Sequence, residues 1–326
     1  MFNTVMLISI LLLLVGLVIL IYGADFLVKG ASSISKKLGV PAIVIGLTIV
    51  AFGTSAPELI INLFSAAKGT TDLALGNVLG SNVANIFLVL GVSGLIIPLS
   101  VKKNTTWKEI PFATLAMFMI LFAGNDIFLD GSAFNVISRS EGLVLLGFFA
   151  IFMYYTFELF RSGRGGESEG DEIAIYGGWA SLGFVLLGLL GLFFGGQLLV
   201  NNAIELAKMA GMSEMLIGLT VVAVGTSLPE LATSVVAARK GQTDLAIGNV
   251  VGSNIFNIFW ILGVTSVIKP IPVSDGASVD IFITTLASFI LFVVMFVGKK
   301  HVLQRWQAGM FVIFYIVYVA YLIYRG

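Results

Sequence analysis

Cysteine is absent from the 326-residue chain, and charged residues account for only 11% of it. Without cysteine the chain forms no disulfides and no thiolate metal site. Soluble domains contain roughly 25% charged residues, so this composition is not that of a soluble domain. Acidic and basic residues are equal at 18 each, which excludes a general electrostatic attraction to nucleic acid.

Hydrophobic residues make up 58% of the chain, and the mean hydropathy is +1.04. These values predict an all-α polytopic membrane protein surrounded by the lipid bilayer. The N-terminal MFNTVMLIS lacks the positive start and the cleavage site of a signal peptide, so we expect it to lead into a first span. Apolar segments of about 20 residues predict ten transmembrane helices, near 5–27, 40–66, 72–97, 109–125, 140–160, 177–203, 212–238, 244–268, 279–298 and 303–324.

Lysine and arginine are distributed unequally between alternate predicted loops. One set of loops, which includes the short polar linker 161–176, holds 13 of them, and the other set holds 5. Positively charged loops face the cytoplasm in membrane proteins. The sequence therefore predicts a plasma-membrane protein with both termini on the extracellular side.

A long segment of the chain occurs twice, 172 residues apart. GLTIVAFGTSAPEL returns as GLTVVAVGTSLPEL, and between 46–93 and 218–265 the two copies are identical at 30 of 48 positions without a gap. This duplication divides the chain into two halves, 1–160 and 177–326. Each half contains five predicted spans, and because five is odd the second half must cross the membrane in the opposite direction. Such inverted repeats are typical of secondary transporters, whose binding sites lie near the middle of the membrane between the repeats.

Each copy places a glutamate, Glu58 or Glu230, directly after a proline inside an apolar run. Proline lacks the N–H that would bond the preceding turn, so it frees carbonyls of the glycine and threonine just upstream. Carbonyls, hydroxyls and carboxylates together are hard oxygen ligands that suit Ca²⁺, Na⁺ or Mg²⁺. A proline kink with a protonated glutamate is the alternative for one copy. Its recurrence in the second copy favours a cation site, because a charge at membrane depth costs roughly 3 kcal/mol or more.

A second duplicated stretch, GNVLGSNVAN or GNVVGSNIFN, carries a serine and an asparagine four residues apart on one helical face. We expect these side chains to add neutral oxygen ligands opposite the glutamates: Ser81, Asn85, Ser253 and Asn257. The other amides of this stretch fit a role in joining helices equally well: Asn77, Asn82, Asn249 and Asn254. The GxxxG pairs within it predict close helix packing.

Three further acidic residues receive a structural interpretation. Asp72 and Asp244 begin spans and are expected to be helix N-caps. Asp25, whose counterpart in the second half is Gln197, is expected to reach the lipid headgroups. The sequence contains no protease, hydrolase or nucleotide-binding motif, so no catalytic or cofactor-binding residue is expected.

The two GTS-x-PE segments, each followed by GN-xx-GSN-xx-N, resemble the α-repeats of the cation/Ca²⁺ exchanger superfamily. They are most similar to its Na⁺/Ca²⁺ exchanger branch, and the likeness extends to ten spans in two inverted halves. The resemblance implies an antiporter that exchanges several Na⁺ for one Ca²⁺ by alternating access and uses no cofactor.

The resemblance also implies a role for each site residue. Ca²⁺ would be held by two carboxylates and two threonine carbonyls, those of Glu58, Glu230, Thr54 and Thr226. One flanking Na⁺ site would use the hydroxyls of Ser55 and Ser81 and the carbonyl of Ala223. The other would use the hydroxyls of Ser227 and Ser253 and the carbonyl of Ala51. Asn85 and Asn257 would lie at the middle of the site.

Two departures from the family pattern carry information. Some members have Asp where this chain has Asn257, and that Asp accompanies K⁺ co-transport in one branch, so K⁺ dependence is not expected here. Animal exchangers carry large regulatory domains in place of the linker 161–176, which has no room for one. A minimal prokaryotic exchanger with no obligatory protein partner is expected.

Two other functions are consistent with a cation site between repeats. A H⁺/Ca²⁺ antiporter of the same superfamily would alternate the glutamates between protons and Ca²⁺, although that branch usually has a different motif around its acidic residues. A passive cation channel would show no uptake against a Ca²⁺ gradient.

Overall fold

The computed structural model describes residues 2–68, 71–161, 174–211 and 223–325. These residues form helices throughout, apart from loops and four two-residue strands. Eight of the helices described are long and apolar enough to cross a membrane, and a bent helix pair counted as one span makes nine. The predicted all-α membrane architecture is confirmed. The predicted seventh span, 212–238, is described only from residue 223, so the number ten stays a prediction.

The first half consists of helices interrupted by two π-helical segments, Gly46–Val50 and Ala84–Val89. Its helices and strands are α1 (Phe2–Leu38), α2 (Ala42–Ile45), α3 (Ala51–Thr54), α4 (Ala56–Lys68), α5 (Thr71–Val83), α6 (Leu90–Ile96), β1 (Leu99–Ser100), α7 (Lys103–Trp107), α8 (Glu109–Ala123), α9 (Asp126–Asp130), β2 (Val136–Ile137) and α10 (Arg139–Arg161).

The second half follows the same order where it is described, with a π-helical segment at Phe256–Leu262. Its helices and strands are α11 (Gly178–Met209), α12 (Ala223–Thr226), α13 (Leu228–Arg239), α14 (Thr243–Ile255), α15 (Gly263–Ile268), β3 (Ile271–Pro272), α16 (Asp275–Val294), β4 (Val302–Leu303) and α17 (Arg305–Arg325).

Helix α1 extends well beyond the predicted first span, which ended at residue 27. It contains 37 residues, or about 55 Å at 1.5 Å per residue, against a bilayer core of roughly 30 Å. No helix-ending residue occurs until Gly39, which adopts φ +63° and precedes Pro41. The loss of hydrophobicity after residue 27 therefore does not mark the end of the helix.

Helices α1 and α11 pack backbone to backbone along their lengths. A Cβ added to Gly23 would lie 2.7 Å from the backbone nitrogen of Leu192, and one added to Gly195 would lie 2.6 Å from that of Leu20. Only glycine allows this approach, which gives transmembrane helices extensive van der Waals contact. The two long helices therefore form one tightly joined pair.

The duplicated segments occupy the centre of the molecule. In the second copy the GxxxG prediction is confirmed, because a Cβ on Gly248 would lie 2.7 Å from the carbonyl oxygen of Ile43. A Cβ on Gly252 would lie 2.8 Å from the Cα of Leu47. For the first copy the equivalent partner segment, 215–222, lies outside the described residues.

Contacts between loops join the two halves at both ends of the bundle. Strand β1 pairs with β4, and β2 pairs with β3. Lys102, beside β1, forms an ion pair of 2.6 Å with Asp244. The N-cap prediction for Asp244 is wrong, because Gln242 occupies the cap position of α14 and makes no side-chain cap bond. The Asp244 carboxylate pairs with a lysine from the other half and not with the backbone N–H groups at the start of its own helix. The side chain of Asp72, the other predicted N-cap, lies outside the described part of the structure.

The backbone contact between α1 and α11 yields a stability prediction. Gly23→Ala should lower the melting temperature of the purified protein in detergent, because overpacking a close contact costs about 1–3 kcal/mol. Gly183→Ala on α11 is the matched control, since a Cβ there meets no atom within 4 Å and alanine is the better helix former. Equal melting temperatures for the two variants would show that the contact is not tight.

Candidate cation site

Each duplicated motif contains a helix that breaks at a serine. Helix α3 gives way to α4 at Ser55, where φ is −85° and ψ is 7°, and α12 gives way to α13 at Ser227, where they are −87° and 4°. The first break bends its helix pair by 47°. Pro57 and Pro229 follow in the first turn of the next helix, where a missing N–H leaves no helical bond unmade. The predicted proline-linked break is present in both copies.

The break places each glutamate in the first turn of a new helix. Glu58 and Glu230 are each only 1% exposed, and the free N–H groups of a helix start favour negative charge there. Glu58 Oε1 accepts a hydrogen bond of 3.2 Å from the Ser81 hydroxyl. Glu230 Oε1 accepts one of 3.1 Å from Ser55 and one of 3.4 Å from Ser253. Ser55 belongs to the first motif, so the two motifs meet at one place.

Hydroxyls of the two threonines also lie between the halves. The Thr54 hydroxyl donates to Asn249 Oδ1 at 3.0 Å and lies 3.4 Å from the Ser253 hydroxyl. In the symmetric position the Thr226 hydroxyl lies 3.4 Å from that of Ser81. The residues predicted from either copy thus form a single cluster.

Five buried oxygens of this cluster have no hydrogen-bond partner among the described residues. They are Oε2 of Glu58 and Glu230, Oδ1 of Asn85 and Asn257, and Oγ of Ser227. An unsatisfied buried polar group costs about 1–3 kcal/mol, and more when it is charged. Four of the five form two symmetric pairs, which is the arrangement expected of oxygens that coordinate a cation and not of a packing defect.

The amides of Asn85 and Asn257 are oriented by bonds across the molecule. Asn85 Nδ2 donates to Asn254 Oδ1 at 3.0 Å, and Asn257 Nδ2 donates to Asn82 Oδ1 at 2.9 Å. Both amides lie on π-helical turns, which occur frequently at functional sites. Each NH₂ group is thus held by a bond to the other half, while each Oδ1 stays without a donor among the described residues. Asn82 and Asn254, whose role the sequence left open, join the two halves through these bonds.

Polar residues one turn after the glutamates form a further layer of contacts. Asn62 Nδ2 donates to the Glu58 carbonyl at 2.9 Å and to Asn77 Oδ1 at 3.2 Å. Asn249 Nδ2 donates to the Glu230 carbonyl at 3.3 Å and to the Ser234 hydroxyl at 3.0 Å. Sequence reasoning missed Asn62 and Ser234 because they differ between the copies. Their shared signal is a polar residue four positions after each glutamate.

The two alanine carbonyls are not equivalent. The Ala51 carbonyl accepts the Ser55 N–H at 3.0 Å, and the Thr54 hydroxyl, whose one proton it shares with Asn249 Oδ1, lies 3.3 Å away. In the second copy the Ser227 N–H bonds to Val224 at 3.1 Å, the residue after Ala223. A cation at Ala51 would have to replace the Thr54 hydroxyl.

A cavity of about 320 Å³ reaches the cluster from one side. Its walls come from α4, α11 and the second break, and they include Pro57, Gln197, Thr226 and Pro229. On the symmetric side α1 packs directly along α13. The cavity therefore approaches the cluster between α4 and α11.

No group of three or more His, Cys, Asp and Glu side chains that could hold a metal ion occurs among the described residues. The cluster instead combines two carboxylates with neutral hydroxyl and amide oxygens. These oxygen donors suit hard cations. Because only two of the donor groups are charged, such a cation can also be released. Together with the apolar helices it defines a multi-pass membrane transporter of small cations.

Comparison with known proteins places this transporter more narrowly. The chain belongs to the sodium/calcium exchanger family, whose model, described as "Sodium/calcium exchanger protein", matches residues 8–158 and 180–324. Members of this family are transporters, not enzymes, and Na⁺ and Ca²⁺ are their substrates. The resemblance seen in the two motifs is thus confirmed over both halves.

Individual relatives agree with the family. The sodium/calcium exchanger MaX1 of Methanosarcina acetivorans is 32% identical over 90% of this chain and 92% of its own. The putative antiporter CaxA of Alkalimonas amylolytica is 39% identical over 73% of this chain and 74% of its own. The solved structure of the sodium/calcium exchanger from Methanococcus jannaschii superimposes with a TM-score of 0.82 and 32% identity, covering 97% of this chain and 98% of that one.

The bond from Asn85 to Asn254 predicts an indirect effect on cation binding. Asn254→Ala should weaken Ca²⁺ binding about 10- to 100-fold, as loss of a partner that orients a ligand does. Asn202→Ala is the control, because the Asn202 amide bonds only the Leu198 carbonyl of its own helix in the described contacts. Equilibrium ⁴⁵Ca²⁺ binding to both purified variants measures the difference. Unchanged Ca²⁺ affinity in Asn254→Ala would remove Asn254 from the site.

Proposed function

We propose that the protein exchanges several Na⁺ for one Ca²⁺ by alternating access, at a site near the membrane midplane built around Glu58 and Glu230. The symmetric set of buried oxygens without a donor carries this proposal, because such oxygens need a cation. Ca²⁺ would bind both carboxylates with the carbonyls of Thr54 and Thr226. The serines and amides of the cluster would serve the flanking sites and the centre.

Competition for the same ligands would couple the two fluxes. Two ionised carboxylates carry about −2 charge, which either one Ca²⁺ or two Na⁺ can neutralise, with a third Na⁺ on neutral oxygens. Ser81 and Ser253 each contact a glutamate and a threonine of the cluster. Each of these Na⁺-site serines thus contacts a carboxylate proposed for Ca²⁺, so a full Na⁺ set would engage the same carboxylates and the two occupancies would be exclusive.

The empty site would resist the transition between its two open states. Closing it without a cation would bury two uncompensated charges, which is among the most costly changes in a protein interior. A cation-loaded site would pass through this closed state easily. Exchange without leak follows from that difference.

We infer a topology from the duplicated halves, and an orientation from the charged loops and the position of the cavity. Two five-span halves, 1–160 and 177–326, joined by the linker 161–176, would lie inverted in the plasma membrane with both termini outside. The cavity runs along the half of α11 that ends at Met209, away from the loops rich in lysine and arginine. The structure would then have its site open to the extracellular side.

Removing either carboxylate should abolish exchange. Glu58→Gln and Glu230→Gln should each reduce Na⁺-gradient-driven ⁴⁵Ca²⁺ uptake into proteoliposomes at least 100-fold, because loss of one charge leaves Ca²⁺ uncompensated in a buried site. Glu109→Gln is the matched control, since Glu109 is also buried, at 2% exposure, but bonds Tyr155 away from the cluster.

The same assay separates the rival functions. Uptake driven by a pH gradient and indifferent to Na⁺ would identify a H⁺/Ca²⁺ antiporter. Downhill Ca²⁺ flux that no gradient can drive uphill would identify a channel. Full Na⁺-driven uptake by either glutamine variant would contradict the proposed site.

A ratio of three Na⁺ to one Ca²⁺ should make transport sensitive to voltage. Each Ca²⁺ taken up into a Na⁺-loaded vesicle would then move one net positive charge outwards, worth about 2.3 kcal/mol per 100 mV. A K⁺ diffusion potential that is positive inside should therefore accelerate uptake, and a negative one should slow it. Uptake that is indifferent to the potential would point to two Na⁺ per Ca²⁺.

A further inference from the structure

The two sides of the cation cluster differ in polarity as well as in openness. The open cavity between α4 and α11 contains Gln197 and Asn201 as polar groups on the α11 wall. A shift of 172 residues places Asp25 and Lys29 at the corresponding positions of α1. On that side α1 lies against α13.

Asp25 is held between two lysines on the closed side. Its Oδ2 lies 2.7 Å from Lys29 Nζ, one turn further along α1, and its Oδ1 lies 2.5 Å from Lys240 Nζ. Lys240 directly follows α13, so this ion pair links α1 to the helix that carries Glu230. The expectation that Asp25 reaches lipid headgroups is wrong, because a cationic partner from the other half takes its carboxylate.

A second polar link reinforces the first. The Ser32 hydroxyl donates to the side-chain oxygen of Gln242 in the loop between α13 and α14. The residue that corresponds to Ser32 on α11 is Ile204, which lines the open cavity. The α1 residues of these links are therefore not repeated on α11, although Lys240 has Lys68 as its counterpart.

Thr233 lies beneath these links on α13. Its side chain is fully buried, and its hydroxyl has no hydrogen-bond partner in the described part of the chain. Its counterpart, Ile61, lines the open cavity. If the closed side opened in the same way, Thr233 would line the new passage, and its hydroxyl would gain water as a partner.

We propose that Asp25, Lys29, Lys240, Ser32 and Gln242 form a latch that closes the passage on the lysine-rich side. When α1 moves away from α13, the latch opens, and the Asp25 carboxylate becomes part of the passage wall. That passage then carries the charged Asp25–Lys29 pair on its α1 wall, whereas the α11 wall of the passage on the other side carries the uncharged Gln197 and Asn201. This inference rests on the proposed alternating access and adds a built-in difference between its two states.

Thiol labelling tests the latch directly, because the native chain has no cysteine. Thr233→Cys in full-length protein is exposed to a small charged methanethiosulfonate reagent added to either side of membrane vesicles. Adding Asp25→Asn should raise the labelling rate from the lysine-rich side roughly 3- to 10-fold, since partly exposed ion pairs contribute only modestly to a conformational equilibrium. Labelling from the other side should not rise.

Two further variants keep the test specific. Lys102→Gln breaks an ion pair at the same end of the bundle that does not involve α1, and it should leave the labelling rate unchanged. Exchanging the charges, with Asp25→Lys and Lys240→Asp together, should restore slow labelling. Ala232→Cys replaces Thr233→Cys if the latter variant does not fold.

Equal labelling rates with and without Asp25→Asn would overturn the latch, and so would an equal increase in Lys102→Gln. The labelling needs no ion gradient, whereas the proposed function is tested by Na⁺-driven uptake in the wild type. If the wild type shows Na⁺-driven uptake but Asp25→Asn does not change the labelling rate, the latch is wrong and the proposed function stands. If Asp25→Asn raises the labelling rate but the wild type shows no Na⁺-driven uptake, the proposed function is wrong and the latch stands.

Discussion

The structure depends on the burial of two carboxylates that form no ion pair with a basic side chain among the described residues. Glu58 and Glu230 each use one oxygen for serine hydroxyls and leave the other without a donor. Buried charge without compensation is strongly unfavourable. A mobile cation removes that cost and can leave again, which a fixed lysine or arginine cannot do. The proposed cation binding would thus relieve a cost that the fold itself creates.

The surrounding structure can be understood as support for those oxygens. The serine breaks start a helix just before each glutamate, and the amide pairs between the halves hold Asn85 and Asn257 by their NH₂ groups and leave their Oδ1 atoms without a donor. Close glycine contacts bring α14 onto the segment before the first break. The long α1–α11 pair lies beside this centre, open on one side and linked by Asp25 on the other. A rigid core beside a separately packed pair is a suitable arrangement for alternating access.

The sequence predicted the parts that the duplication repeats. Glu58, Ser81 and Asn85 were recognisable because identical residues recur in a second copy, and each is buried. Asn62, Ser234 and the Asp25 links were not predicted, because their counterparts differ and their partners lie up to 215 residues away in sequence. The end of α1 was also predicted wrongly, because a span was drawn from hydrophobicity and a helix can continue beyond its apolar segment. Asp244 forms an ion pair with Lys102 from the other half. Helix-capping rules use only neighbouring residues, so they could not predict this contact.

The central claim is that Na⁺ and Ca²⁺ compete for one set of buried oxygens. Equilibrium binding of ⁴⁵Ca²⁺ to the purified protein, titrated with Na⁺ at constant ionic strength, tests it most directly. The account predicts that Na⁺ displaces Ca²⁺ completely, with a Hill coefficient clearly above one, because several Na⁺ must replace each Ca²⁺. Ca²⁺ that stays bound at saturating Na⁺ would contradict a shared site.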